Sequence, residues 1–443
     1  MNVETKDSNR PAELDPLARA RGLRVRQETL ERIRAGHQVI LDELKPTQAQ
    51  IDRGLALHYN SFVADVQGSV QLSSTHGIVG DRLRQDLEPV RNELSGQDLV
   101  PEELQRRLHA DHFKRKTFES AFDAQWLAES QALYRISGVD LGVCDVAGPE
   151  ENTLEAALDR VSRINFAHEH RDDIIRVAKL ADIERGIRSG TPSEMFHLAG
   201  VGCFAETANP LRNLDLFYAL GVRMSQMTYI QDNGLCSSYL QERDTGLTPL
   251  GAKVVRRMNE LGIMVDLAHS GEQSSYDMIE ASTEPVLLSH TGCRAVYDDS
   301  TNRGYLEKVF QQPYARGATM PTRPVSRNAD DAMLKAVAAK GGLVAIYSID
   351  YVLGTGPESF HTWYRHLEHA IKVAGIDHVA IGTDRTFFPT WQPGALDWTN
   401  WPYWTVGLVC MGHSDEEIQK LIGGNCLRFA RQVLDKRPWG AFM

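Results

Sequence analysis

Residues 248–290 read TPLGAKVVRRMNELGIMVDLAHSGEQSSYDMIEASTEPVLLSH. Thr248 before Pro249 marks a helix start, a hydroxyl cap followed by a residue whose φ is already set for the first turn. The pattern stays helical to Leu261. Ile263–His269 is then a continuous apolar run ending in polar residues, Ser274–Glu280 is amphipathic again, and Val286–His290 is a second apolar run. Apolar runs without alternation, separated by amphipathic helices, predict parallel strands covered on both faces.

The same beat extends in both directions. Phe62–Val66, Val139–Val146, Met195–Phe204 and Val222–Tyr229 precede this stretch, and Leu343–Ile349 and Val379–Asp384 follow it. Helical patterns at Ala332–Ala339 and Trp363–Val373 separate the later runs. Eight strands in this alternation predict an α/β fold closed as a (β/α)8 TIM-type barrel. An open doubly wound sheet is the alternative, but no G-x-G-x-x-G follows any run, which removes the usual support for dinucleotide binding.

Residues 1–59 read as a disordered start followed by a helical N-terminal extension. One helix runs from about Gln27 to Pro46, and a second is opened by a capping box of Thr47 and Gln50. Residues 60–443 then form the barrel domain, with insertions at about 70–135, 298–328 and 386–412. All three leave from strand C-terminal ends, where a barrel builds its site, so they are expected to form lids or walls. Trp391, Trp398, Trp401 and Trp404 crowd the last of them, as a small loop core or as the wall of a ligand pocket.

The chain has 443 residues, 48 Lys+Arg against 59 Asp+Glu, and a formal net charge of -11. This balance argues against nucleic acid and against an anionic membrane surface as partners. No stretch reaches the ~20 apolar residues needed to span a bilayer, and residues 1–27 lack the apolar core of a secretory signal. Six cysteines, at 144, 203, 236, 293, 410 and 426, form no C-x-x-C pair. The expected location is the cytoplasm, with Cys144 and Cys203 read as buried structural thiols.

Three polar residues end strands: His269, His290 and Asp384. Each alone reads as a satisfied polar residue at a strand terminus. Together, at the mouth of one barrel, they suit a divalent ion, since neutral imidazole and carboxylate are its natural ligands. His361, His366 and His369 sit on a helix away from the mouth and read as surface features. Arg385 follows Asp384 and would pair with it or face an anionic substrate. Arg303, Arg316 and Arg323 read as solvated.

GLTPLGAKVVRRMNELGIMVDLAHSG (246–271), PVLLSH (285–290) and GIDHVAIGTD (375–384) together resemble the membrane (renal) dipeptidase family. LDLFYALGVRMSQMTY (214–229), SRNADDAMLKAVAAKGG (326–342) and GGNCLRF (423–429) fit the same family. The resemblance covers most of 195–435 and implies a metal-dependent, amidohydrolase-type (β/α)8 barrel. It implies that His269 and His290 bind the second zinc, that Asp384 is the aspartate after the eighth strand, and that Arg327 binds the substrate carboxylate. The family's first-strand Asp-x-His-x-Asp appears as Asp65-Val66-Gln67-Gly68-Ser69, so Gln67 and Ser69 stand where two ligands of the first ion belong. Its bridging glutamate falls near Gly202, with Glu206 reachable only by a register shift. Its substrate-polarising histidine appears as Tyr229.

The resemblance therefore implies a dipeptidase-like metallohydrolase. Metal-activated water would cleave a dipeptide or similar small amide at an atypical site with one zinc or other divalent ion, and Asp384 would act as general base. Substrate-binding residues would be Arg327, Tyr229 and Arg385, and the degenerate ligand positions Gln67, Ser69 and Gly202. The family also implies a possible homodimer. Two alternatives stay open. One is a divergent or inactive barrel that binds an amino-acid-like ligand or performs non-hydrolytic chemistry. The other is a partner-binding scaffold, which would not need the retained pocket residues.

Overall fold

The computed structural model describes residues 13–68, 124–148, 153–229, 231–241, 243–297, 327–349, 353, 359–384 and 398–434. Of the residues singled out above, Ser69, Arg385, Arg303, Arg316, Arg323 and Trp391 lie outside these, as do 70–123, 298–326 and 386–397 of the insertions.

The strands are β1 (Leu141–Ala147), β2 (Ile175–Val177), β3 (Ser193–Leu198), β4 (Val222–Gln226), β5 (Met264–Asp266), β6 (Leu287–Thr291), β7 (Leu343–Ile346) and β8 (Val379–Ile381). All pair in parallel, in the order β1-β3-β4-β5-β6-β7-β8, with β2 flanking the start of β3. The segment 62–68 closes this curled sheet. On one side Asp65 N donates to Leu141 O and Val143 N to Gly68 O, both at 2.8 Å; on the other Val66 N donates to Ile381 O at 3.0 Å. The first and last apolar runs of the sequence thus meet at one seam.

The third apolar run spans Met195–Phe204, but β3 ends at Leu198. Gly200 turns the chain with φ 101°, and Gly202–Ala205 is a helical turn. Helix starts obey local chemistry. Thr47 forms its capping box with Gln50, and Thr248 accepts from Gly251 N ahead of Pro249.

Alternation along the strands sorts the core into two clusters. Val143, Met195, Met224, Met264, Leu287, Leu343, Ala345 and Ala380 pack together inside the ring, on the helix Asn425–Val433. Their neighbours, including Cys144, Phe196, Val265, Leu288 and Ile346, face the surrounding helices. Two residues beyond the interior Val143, Met195, Met224, Met264 and Leu287 come Asp145, His197, Gln226, Asp266 and Ser289. The period of two therefore places a polar layer above the apolar one, toward the mouth.

The described end of the last insertion is a helix, Trp401–Cys410, buried at every position from Trp401 to Val409. Helices α1 (Gln27–Leu44) and α2 (Gln48–Asn60) help cover it. Gly54 of α2 sits so close that a Cβ would lie 2.6 Å from Val406 Cα. His58 Nδ1 pairs with Thr405 Oγ1 at 2.9 Å, and His37 Nε2 donates to Thr399 O at 2.7 Å. Trp398, Trp401 and Trp404 are core rather than pocket wall.

Candidate functional site

β5, β6 and β8 deliver His269, His290 and Asp384 to the mouth of the ring. His269 and Asp384 lie just past their strands in the left-handed region, with φ 65° and 58°. These turns re-aim both side chains. His269 Nε2 and His290 Nε2 converge to 3.0 Å, and Asp384 Oδ1 lies 4.0 Å from His290 Nε2. Asp384 N donates to Gln67 O at 2.7 Å, which ties this residue to the seam.

Donor counting assigns a tautomer. Ser289 Oγ has one proton and donates it to Asp266 Oδ2 at 2.5 Å. The 2.7 Å contact between Ser289 Oγ and His290 Nδ1 is then donated by the imidazole. His290 carries its proton on Nδ1 and keeps a lone pair on Nε2. Asp266 Oδ1 is occupied by the N–H groups of Ala268 and Ser289, both at 3.0 Å. On the other ring, Arg327 Nη2 donates to His269 Nε2 at 3.1 Å while Nη1 donates to His290 O at 3.2 Å.

Burial, reinforced by the Arg327 charge, holds both histidines well below the ordinary imidazole range, so both rings are neutral. Aromatic rings wall the pair. Tyr229 stacks on His269 with centroids 4.1 Å apart, and the Arg327 guanidinium lies 5.5 Å from the Tyr239 ring and 5.4 Å from the Tyr347 ring. A cleft lined by Tyr239, His269, Ser275, Thr291, Arg294 and Arg327 opens beside them.

The polar layer below was not anticipated from the sequence. His197 Nδ1 lies 2.6 Å from Asp145 Oδ1, and His197 Nε2 lies 3.6 Å from Asp266 Oδ2. Gln67 Nε2 sits 3.3 Å from both Asp145 oxygens. The signal that could have found these residues is their register, since each polar residue falls on the interior face of an apolar strand.

Several expectations need correction. Gly202 does not end a strand: it opens a helical turn four residues past Leu198. Glu206 is exposed, and its carboxylate accepts from Gly234 N. Tyr229 stacks its ring face on His269. His366 is fully buried instead of on the surface. Its Nδ1 accepts from Cys293 N and its Nε2 donates to Leu353 O, while burial lowers its pKa to about 4. Cys144 and Cys203 are buried and in no disulfide, as expected.

The donor set suits one divalent ion better than two. Nε2 atoms 3.0 Å apart can share an ion at the ~2.0–2.1 Å typical of Zn–N bonds, and both rings are neutral as ligation requires. Among the described residues no group of three or more His, Cys, Asp or Glu side chains is placed to hold a metal. At the first-ion positions Gln67 turns its amide N–H toward Asp145, and Gly202 has no side chain. Among the described residues no helix is long and apolar enough to cross a membrane.

Comparison with known proteins adds the family. The chain is 26% identical over 282 residues to the dipeptidase tcpJ of Claviceps purpurea (strain 20.1), a match spanning 63% of this chain and 59% of that protein. The probable dipeptidase PvdM of Pseudomonas aeruginosa superposes with a TM-score of 0.60 at 17% identity, over 88% of this chain and 99% of that one. A metallopeptidase of Rhodobacter sphaeroides, solved with a phosphinate mimic of the dipeptide L-Ala-D-Ala, gives 0.55 at 18% identity, over 84% and 99%. At these identities the structures establish the shared fold. The sequence model of the membrane dipeptidase family matches residues 115–303 and 315–437, and on that match the chain belongs to the membrane dipeptidases, peptidase family M19.

Proposed function

We propose that this chain is a dipeptidase-like hydrolase of a small peptide or amide, working with a single divalent ion. The observation that carries this is the convergence of the two neutral Nε2 atoms at the barrel mouth, one with its tautomer set by the Ser289–Asp266 relay. His269 and His290 would hold the ion, with Asp384 or water completing the shell, and the ion would supply Lewis-acid activation. Arg327 would leave His269 Nε2 and bind the substrate carboxylate, the bidentate pairing that guanidinium geometry favours. Asp384 Oδ1 would take a proton from the attacking water and pass it to the departing amine nitrogen as the C–N bond breaks. Tyr229, Tyr239 and Tyr347 would exclude water around the substrate. Arg385, next in sequence to Asp384 and outside the described residues, is a further candidate to meet the substrate carboxylate.

A second reading is a barrel that binds an amino-acid-like ligand without hydrolysing it. The bond from Arg327 Nη2 to His269 Nε2 favours it, because that bond uses the lone pair an ion needs.

Metal-stripped protein, loaded with zinc and washed, is expected to retain about one equivalent by elemental analysis, and His269→Ala to retain none. No zinc on the wild type would sink the metallohydrolase. Zinc-loaded wild type should then cleave members of a dipeptide panel that includes D-configured C-terminal residues. A metal-loaded protein inert across that panel would move the assignment to the binding barrel.

A further inference from the structure

Below the histidine pair lies a line of side chains from β1, its neighbour β3, and β5. Asp145 projects from β1, His197 from β3 and Asp266 from β5, and His197 is fully buried between the two carboxylates. Asp145 is engaged on its other side by the Gln67 amide. Asp266 is engaged by two backbone N–H groups and the Ser289 hydroxyl. Two buried carboxylates on either side of one side chain would repel unless something near them supplied donors. The backbone supplies none for Asp145 here. An imidazole has two ring nitrogens on opposite sides and can turn one toward each of two carboxylates.

We propose that His197 fills the place of an ion: the Asp145–His197–Asp266 bridge is a protein-built plug in the barrel floor that limits this chain to one metal. Three observations on different elements agree. The imidazole sits between the two carboxylates, hydrogen-bonded to Asp145 through Nδ1; its Nε2 makes no hydrogen bond among the described residues and lies 3.6 Å from Asp266 Oδ2. Gln67 presents its amide nitrogen rather than its oxygen toward Asp145, and its Oε1 has no protein partner. The end of β3 is Leu198, followed by Ala199, so that strand brings no ligand above His197. The inference rests on the one-ion reading of the mouth but not on hydrolysis.

Removing the plug should expose paired carboxylates to cations. Zinc stoichiometry is to be measured on wild type, His197→Ala and the double variant Asp145→Asn/His197→Ala, with circular dichroism to show that each is folded. His197→Ala is expected to bind about one more zinc per chain than wild type and to gain thermal stability on zinc addition. The double variant should lose that extra equivalent. Two ions on wild type, or equal stoichiometry in wild type and a folded His197→Ala, overturns the proposal.

Should His197→Ala fail to fold, long-range proton–nitrogen NMR on wild type labelled at histidine decides. A downfield His197 Nδ1 proton that moves in Asp145→Asn supports the bridge, and its absence removes it. If wild type binds no zinc at all, the dipeptidase reading falls, while the extra equivalent in His197→Ala still reports on the plug.

Discussion

His269 and Asp384 hold backbone conformations that L-residues avoid, at a cost of roughly 1–3 kcal/mol each. Lys45 shares the left-handed region, but at the end of α1, where it is ordinary. The other two sit at the mouth, so the strain is spent where aiming a side chain matters. His269→Gly is therefore expected to be more stable than His269→Ala by about 1 kcal/mol in urea unfolding, although both lose the imidazole. Equal midpoints would mean the turn is not strained. Ser289→Ala removes one hydroxyl that serves two partners, Asp266 and His290. Losing this support for a ligating histidine is expected to weaken zinc binding by roughly 10–100-fold. Competition with a chelator measures it, and an unchanged affinity would show that the relay does not orient His290.

At the scale of elements, the backbone bonds of the seam between 62–68 and β8 are reinforced by one carboxylate. Asp65 Oδ1 accepts from Thr383 N and Gln67 N, and Oδ2 from Thr383 Oγ1 and Trp398 Nε1. Burial outweighs these donors and raises its pKa from 3.8 to about 6. A carboxyl whose folded pKa lies above its unfolded one is most stabilising when protonated. Its contribution is full below about pH 4 and falls as pH rises through about 6, by on the order of 3 kcal/mol. Urea midpoints of wild type against Asp65→Asn across that window should show the decline in wild type alone. Parallel curves would refute the assignment. In α2, Gly54→Ala would drive a methyl into Val406 and is expected to cost about 1–3 kcal/mol, seen as a lowered thermal midpoint.

Seven of the eight strands and the capped helices were legible because their signals are local: runs of apolar residues, hydroxyl caps, glycine stops. The three-residue β2 was not, and the run Phe62–Val66 joins the sheet through a single bridge at Ala64 instead of as a strand. His269, His290 and Asp384 were legible because strand ends are easy to locate. Asp145 and His197 were not, since one polar residue in an apolar run carries no sign of what the neighbouring strands place beside it. His366 misled for a similar reason. Its helix exposes His361 but buries the residue five further on, and the partners that satisfy it come from Cys293 and Leu353.

For the molecule as a whole, the N-terminal helices are part of the body and not an appendage. They cover a helix that has no polar face of its own, Trp401–Cys410. Deleting residues 13–60 is expected to yield aggregated protein, because an apolar patch of that kind is then exposed. A monodisperse, cooperatively melting truncation would show that the barrel stands alone.

The seam also sets a timetable. Asp65 and Thr383 are 318 positions apart in the chain, yet each needs the other to close the ring. During synthesis the segment around Asp65 leaves the ribosome long before its partner strand exists. It must wait, unpaired, while the intervening strands form. Pairings so remote in sequence are slow to form. Closure should be a late event in folding, and a nascent chain stopped short of β8 would carry an open sheet with two raw edges, the form most in need of a chaperone.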